Sequence, residues 1–458
     1  MKNMIKFTFL IAFMFMLSQE SNVYCQNSND SIPGKKEEKK KKGLSWNPFP
    51  VLGYNSDIGF QYGVLLDLYN YGDGSLYPGY KFAIYSEISR TTKGSGINQL
   101  FFDSKYLLPY NLRITADLSY LTQQALDFYG FNGYDVIYNP GFEDDSNENG
   151  QYISRVFYRH QRKFTRFTMD LQGKLYTKKL LWLGGLGYFD TRVSTVDIDK
   201  LNKGKSETEK LPDSTALLYD DYVNWGIIGE NEKNGGKTPY LKAGVIYDTR
   251  STEANPMKGI WTEVLFFIAP EILGNEDFSY IKLAITHRQY FTIVKDKLSF
   301  VYRLGYQGTI AGKVPFYMQP YMISSFAKVT TTDGLGGEKT IRGILRNRVV
   351  GDGIAYGNLE ARWKFFKTTL WNQNIYLGLN AFADAGTVIR KIDFDTNEKY
   401  TESAQPYFSK GDESLHWAVG GGLRIVINEN FVIAGDYGVA LDNRDGKNGL
   451  YIGIGYLF

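Results

Sequence analysis

The chain has 458 residues, but its 48 glycines, 35 tyrosines and 30 phenylalanines, with charged residues interleaved among apolar ones, describe one large sheet and not a row of helical soluble domains. A formal net charge of +3, carried by dispersed basic residues, excludes a nucleic-acid partner.

Residues 1–25 read as a secretory leader: Lys2 and Lys6, an apolar core from Phe7 to Leu17, a polar run from Ser18 to Asn22, and a cleavage site at Val23-Tyr24-Cys25 before Gln26. The bulky Tyr24 argues against lipid attachment at Cys25, and with the leader removed the mature chain has no cysteine for a disulfide. Past Leu17 no apolar run reaches the roughly eighteen residues of a spanning helix, so any membrane span must be built from strands. Residues 26–45 contain KKEEKKKK, too charged to bury a core, and are expected to form a disordered periplasmic tether. That tether is too short for a folded domain and reads more simply as a solvated spacer than as a basic arm on lipid head groups. Residues 46–458 are expected to be the outer-membrane barrel domain.

Alternating segments run Gly59–Tyr69, Tyr80–Ile88, Ile97–Leu107, Leu112–Leu121, Tyr152–His160, Phe164–Tyr176 and Leu181–Val193. The second half adds Tyr240–Asp248, Gly259–Ala269, Phe278–Phe291, Lys297–Ile310, Ala355–Phe365, Ile375–Ala385, His416–Ile427, Phe431–Leu441 and Gly449–Phe458. The total of sixteen is even, as a closed barrel with both ends in the periplasm requires. The fold class expected is therefore all-β: a transmembrane antiparallel β-barrel of 16 strands with a long loop folded into its lumen. Ser194–Lys237, Ala311–Ile354 and Gly386–Leu415 come out as long external loops, and Thr292–Asp296, Phe366–Asn374 and Asn428–Asn430 as short periplasmic turns. Thr122–Gln151 breaks the alternation, because this count makes it a long periplasmic excursion. Either one N-terminal strand is misplaced or the segment folds back along the wall.

The stretch from Asp333 to Lys364 combines a Gly-rich loop with a strand. From Ala355 onward, Leu359, Ala361 and Trp363 share one face while Asn358, Glu360 and Arg362 share the other. In the next strand Leu377 and Leu379 face one way, and Asn380, Phe382 and Asp384 the other. Glu360 and Asp384 thus both point to the polar side, where a loop arginine, Arg342, could pin the loop inside the barrel. The last strand is expected to place Leu450, Ile452, Ile454, Tyr456 and Phe458 outward, with Tyr451, Gly453 and Gly455 inward. Glycines in that final strand weaken it, so the junction of first and last strands is expected to be the least stable in the wall.

No catalytic, cofactor or metal constellation stands out. His160, His287 and His416 lie on separate segments, no GxSxG elbow is present, and Gly337-Glu338-Lys339-Thr340 lacks the glycine a phosphate loop needs before its lysine. The acidic run Glu143 to Glu148 reads as a solvated loop. No enzyme and no cofactor are expected.

Gly336-Gly337, Ile341-Arg342-Gly343, Asn358-Leu359-Glu360 and Phe382-Ala383-Asp384-Ala385-Gly386, in that order, resemble the barrel of the BamA-like superfamily, the bacterial surface antigen family that includes TamA and the two-partner-secretion transporters. Asp248-Thr249-Arg250, with Pro256 and Gly259, resembles the turn preceding those motifs, and the likeness spans roughly Tyr240 to Phe458. Ile344 stands where the family usually has an aromatic. The resemblance implies that Arg342, with Gly343, sits against Asp384 of the Phe-x-Asp-x-Gly motif, and that Tyr456 and Phe458 close an insertion signal. It also implies a role in inserting or translocating proteins at the outer membrane, with outer-membrane lipids, client outer-membrane proteins and a periplasmic or lipoprotein partner. The substrate-collecting POTRA domains of the family are not expected in this chain. The alternative is a passive channel or a surface-exposed structural barrel.

Overall fold

The computed structural model describes residues 42–458 apart from 77–79, 147–150, 213–214, 253–254, 276, 326–332, 371–372, 394–403, 410 and 428–430. The expected leader and most of the tether lie outside the described residues, as do Asn428–Asn430. Sixteen antiparallel strands close into one barrel, each paired with its neighbours in sequence and the first with the last. They are β1 Leu44–Asn55, β2 Gly59–Asn70, β3 Phe82–Thr91, β4 Ser95–Ser104, β5 Arg113–Asp127, β6 Arg159–Lys174, β7 Leu180–Ser194 and β8 Gly235–Asp248. The second half comprises β9 Gly259–Ala269, β10 Tyr280–Val294, β11 Leu298–Gly312, β12 Gly353–Leu370, β13 Gln373–Arg390, β14 His416–Ile427, β15 Phe431–Ala440 and β16 Asn448–Ile454.

Alternation decides what each strand shows to either side. Leu100, Leu118, Leu304, Leu359, Leu379 and Leu423 are exposed on the outer wall, while Asp117, Arg166, Arg303, Glu360, Asp384 and Arg424 are buried inside. A polar lumen and an apolar outer belt describe an outer-membrane barrel, and among the described residues no helix is long and apolar enough to cross a membrane.

Two expectations fail, and their errors cancel in the strand count. The first strand, Leu44–Asn55, is not among the alternating segments, and Pro48 and Pro50 fall inside it. Yet β1 pairs with β2 without a break across both prolines. Ser56 donates its backbone N–H to the Leu450 carbonyl across the closing seam. Pro48 and Pro50 share the parity of Ser56, so their missing donors lie on that same edge. The second error is the strand placed at Tyr152–His160. Val156, Phe157 and Tyr158 are consecutively buried in the loop core, without the in-out alternation of a wall strand, and β6 begins only at Arg159. Phe128 to Tyr158 is thus a single external loop, and the apparent periplasmic excursion disappears.

That loop joins others in a dome over the external mouth. Phe128, Phe131, Phe157, Tyr158, Tyr219, Tyr222, Phe316 and Trp225 form one buried cluster, with Tyr407 and Phe408 packed on it. Rings meet edge to face, as in Phe128 against Tyr222 at 5.2 Å and Phe157 against Tyr158 at 4.9 Å. Each such side chain contributes about 1.5–3 kcal/mol by leaving water, so the dome is a core in its own right.

This topology gives a labelling prediction. A cysteine at Lys205, exposed in the external loop after β7, should react with a membrane-impermeant reagent on intact cells, whereas one at Tyr176, exposed in the β6–β7 turn, should react only after lysis. The opposite pattern would invert the barrel.

Candidate functional site

The loop between β11 and β12 turns back into the lumen, and three glycines set its path. Gly336, Gly337 and Gly343 have φ of 113°, 76° and 100°, values that L side chains rarely adopt. Thr340 ties the tip: its Oγ1 donates to the Gly336 carbonyl at 2.9 Å and accepts the Gly336 N–H at 2.8 Å. Ile344 is buried with Leu335, Ile341 and Val349 against Ile354, Val388 and Ala418 of the wall. A branched aliphatic therefore fills the place after Arg-Gly. Gly386 gives this cluster room, since a Cβ there would lie 2.8 Å from both Ile341 and Leu335.

Arg342 is 1% exposed and sits among three carboxylates. Its Nε and Nη2 donate to the two oxygens of Asp384 at 2.8 and 3.0 Å, the forked geometry that suits guanidinium and carboxylate, and its backbone N–H donates to Asp384 Oδ2 at 3.1 Å. Nη1 lies 2.7 Å from Glu360 Oε1, out of line with its N–H, and 3.3 Å from Asp436 Oδ2. The ring of Phe382 lies 3.6 Å beneath the guanidinium carbon. The other carboxylates have second cations: Arg362 binds Glu360 at 2.7 Å and Arg424 binds Asp436 at 2.8 Å.

Further contacts seat the loop on all sides. Asn358 donates to the Thr340 carbonyl at 2.7 Å and Arg303 to that of Lys339 at 2.9 Å. Glu338 accepts from Asn55 of β1 at 2.9 Å, and the Gly343 N–H reaches the Tyr451 hydroxyl of β16 at 3.2 Å. Asp333 makes a forked pair with Arg162 at 2.9 and 2.6 Å. Burial pushes the Asp333 carboxyl up, but Arg162 outweighs it and holds the group below the usual carboxylate range.

Asp248, Arg250, Pro256 and Gly259 lie elsewhere, around the β8–β9 turn. Arg250 clasps Asp248 at 3.0 and 3.1 Å and stacks over Trp261, and Gly259 has φ of 109°. From the same turn, next to the buried Pro256, Asn255 donates to the Tyr376 hydroxyl at 2.7 Å, which meets the Tyr456 hydroxyl at 3.1 Å.

The outward placement of Tyr456 and Phe458 is overturned. β16 ends at Ile454, and Gly455, with φ of 100°, turns the chain into the lumen. Phe458 is 7% exposed, packed with Tyr290 and Val301, and Arg362 lies 4.2 Å from the Tyr456 ring centre. Gly453 stays within β16, and Leu450, Ile452 and Ile454 face outward.

The seam is consequently short. β1 and β16 pair only at Tyr54–Ile452 and Asn55–Tyr451, whereas β1 and β2 pair along their whole length. Among the described residues no strand lies along the second edge of Leu44–Gly53.

Sequence reasoning missed Asp436, Gly438 and Tyr451 as partners of the loop, although the inner parity of β15 and β16 pointed to them. A Cβ on Gly438 would stand 2.4 Å from the Arg342 carbonyl oxygen, so two glycine backbones, 343 and 438, touch where the loop meets the wall.

The Omp85 superfamily domain matches residues 79–458. The chain belongs to the Omp85 superfamily. Two solved barrels share the Omp85 fold at low identity. One is BamA from Haemophilus ducreyi lacking POTRA domains 1–3: TM-score 0.54, 15% identity, 91% of this chain and 71% of that one covered. The other is CdiB from Escherichia coli: TM-score 0.55, 11% identity, 93% of this chain and 66% of that one, so this chain spans just under two thirds of its length. No curated protein sequence matches this Omp85 barrel.

Proposed function

We propose that this barrel inserts or translocates polypeptides at the outer membrane and that it works through the β1–β16 seam. The observation that carries the reading is the edge Leu44–Gly53, whose outward N–H and C=O groups have no strand beside them among the described residues. In hydrocarbon, an unpaired backbone group costs several kcal/mol, so such an edge favours an added strand from a client chain. Trp46, 74% exposed, and Leu44 and Leu52 flank it with apolar surface. Membership in the Omp85 superfamily supports the same role. A periplasmic or lipoprotein partner would present the client. The aromatic dome over the external mouth argues against a permanently open passive channel.

The test is a reversible tether. Tyr54→Cys with Ile452→Cys places two cysteines opposite each other across the seam. Oxidation should abolish insertion of a client barrel into liposomes containing the protein, and reduction should restore it. Undiminished activity of the oxidised form would exclude the seam as the working site.

A further inference from the structure

Near its external end the outer wall carries a cluster of charge on β6, β7 and β8, and the register makes that charge unusual. Lys163 of β6 stands directly opposite Arg192 of β7, and both are exposed on the face that looks away from the lumen. Like charges opposite each other on one sheet face, with Cβ atoms about 4.5–5.5 Å apart, repel. One strand further, Lys237 of β8 stands opposite Asp190, which also takes the Arg192 guanidinium at 3.2 Å. Asp190 thus faces Lys237 and is already paired with Arg192. Arg192 keeps 73% of its side chain exposed, and Lys163 has no ionic partner among the described residues. Immediately below, Phe167, Leu186 and Tyr188 are exposed and belong to the apolar belt, which puts the cations at the level where lipid chains give way to head groups. At the same end the opposite side of the barrel differs: Ile310, Ile389, Trp417 and Leu441 are exposed there.

We infer that Lys163, Arg192 and Lys237 form a binding site for the phosphate of an anionic lipid in the outer leaflet. A phosphate between Lys163 and Arg192 supplies the negative charge the register lacks, and guanidinium binds phosphate through two parallel N–H donors. The aromatic and aliphatic side chains beneath receive the acyl chains of the same molecule. Charge complementarity and the adjoining apolar belt together select a lipid over a soluble anion, which would have no use for the lower half of the site.

The experiment is a titration of the full purified chain, in non-ionic detergent, followed by native mass spectrometry. The probes are a bisphosphorylated glycolipid, its dephosphorylated form and inorganic phosphate. Wild type should hold the phosphorylated lipid roughly tenfold or more tightly than the dephosphorylated one. Lys163→Gln with Arg192→Gln should remove that preference, and Ile389→Gln on the opposite side should keep it. Arg192→Glu is the second variant: it creates a cross-strand ion pair with Lys163, so the wall is not weakened while the phosphate is repelled. Unchanged lipid preference in both Lys163/Arg192 and Arg192→Glu variants would overturn the site. So would displacement of the lipid by an equal concentration of inorganic phosphate, which would make it a site for free anions.

Discussion

Replacing Arg342 with alanine is expected to release the lumen loop. Asp384 would be left buried, at 0% exposure, with its guanidinium partner gone, while Glu360 and Asp436 would retain Arg362 and Arg424. Removing one side of a buried ion pair costs on the order of 3–5 kcal/mol, because the remaining charge is stranded in a medium that solvates it poorly. The loss falls on the loop, since the wall keeps its hydrogen-bonded ladders. Limited proteolysis should therefore cut between residues 313 and 352 in Arg342→Ala and in Asp384→Ala, while the barrel stays heat-modifiable on gels. The double substitution should be little worse than either single one, because both remove the same interaction. Arg342→Lys should also fail to hold the loop, since an ammonium cannot fork onto Asp384. Additive effects, or a loop equally resistant in every variant, would show that the contact does not retain the loop.

The second large effect is expected at a residue with no side chain. Gly438→Val should displace the loop tip as effectively as loss of the arginine. Any Cβ at 438 meets the Arg342 carbonyl oxygen at 2.4 Å and the Gly343 nitrogen at 2.8 Å, and both are backbone atoms that cannot rotate away. Gly343 has no freedom to yield, because its own Cβ position lies 2.5 Å from the Gly438 carbonyl carbon. Overpacking of this kind typically costs about 1–3 kcal/mol, and a branched side chain against backbone lies at the upper end. Gly435→Val is the control, since nothing lies within 4 Å of a Cβ there. Protease resistance of the loop should fall in the first variant and stay at the wild-type level in the second. Equal resistance in both would mean that the close approach of 343 and 438 does not seat the loop.

The barrel was legible because period-two alternation is a local property. Trp363 against Arg362, or Leu379 against Asn380, reports its face without reference to any other strand. β1 was not legible, since its prolines are tolerated only at an edge, and whether a strand is an edge is a fact about the whole sheet. Tyr152 to Tyr158 misled for the opposite reason: aromatic residues packing into a loop core mimic alternation over a short run. Tyr456 and Phe458 continued the outward parity of β16 on paper, but a single glycine with positive φ ended that parity at 455. Loop partners on β15 lay beyond local reading because Asp436 and Gly438 matter only once the loop has folded back across the lumen. The parity of Asp436 was available; which inner residues the loop would meet was not.

The prolines of β1 also bear on how long any strand could stay bound along its open edge. Five positions there point their backbone groups outward by parity: Leu44, Trp46, Pro48, Pro50 and Leu52. Every one offers a carbonyl, but the third and fourth, Pro48 and Pro50, offer no N–H. A strand laid along this edge is therefore gripped at its ends and left without donors in the middle, at a cost of about 1 kcal/mol for each bond not formed. Two such gaps shorten its residence by roughly tenfold or more relative to a complete ladder. An edge built this way favours turnover: it admits a strand, and it lets that strand go.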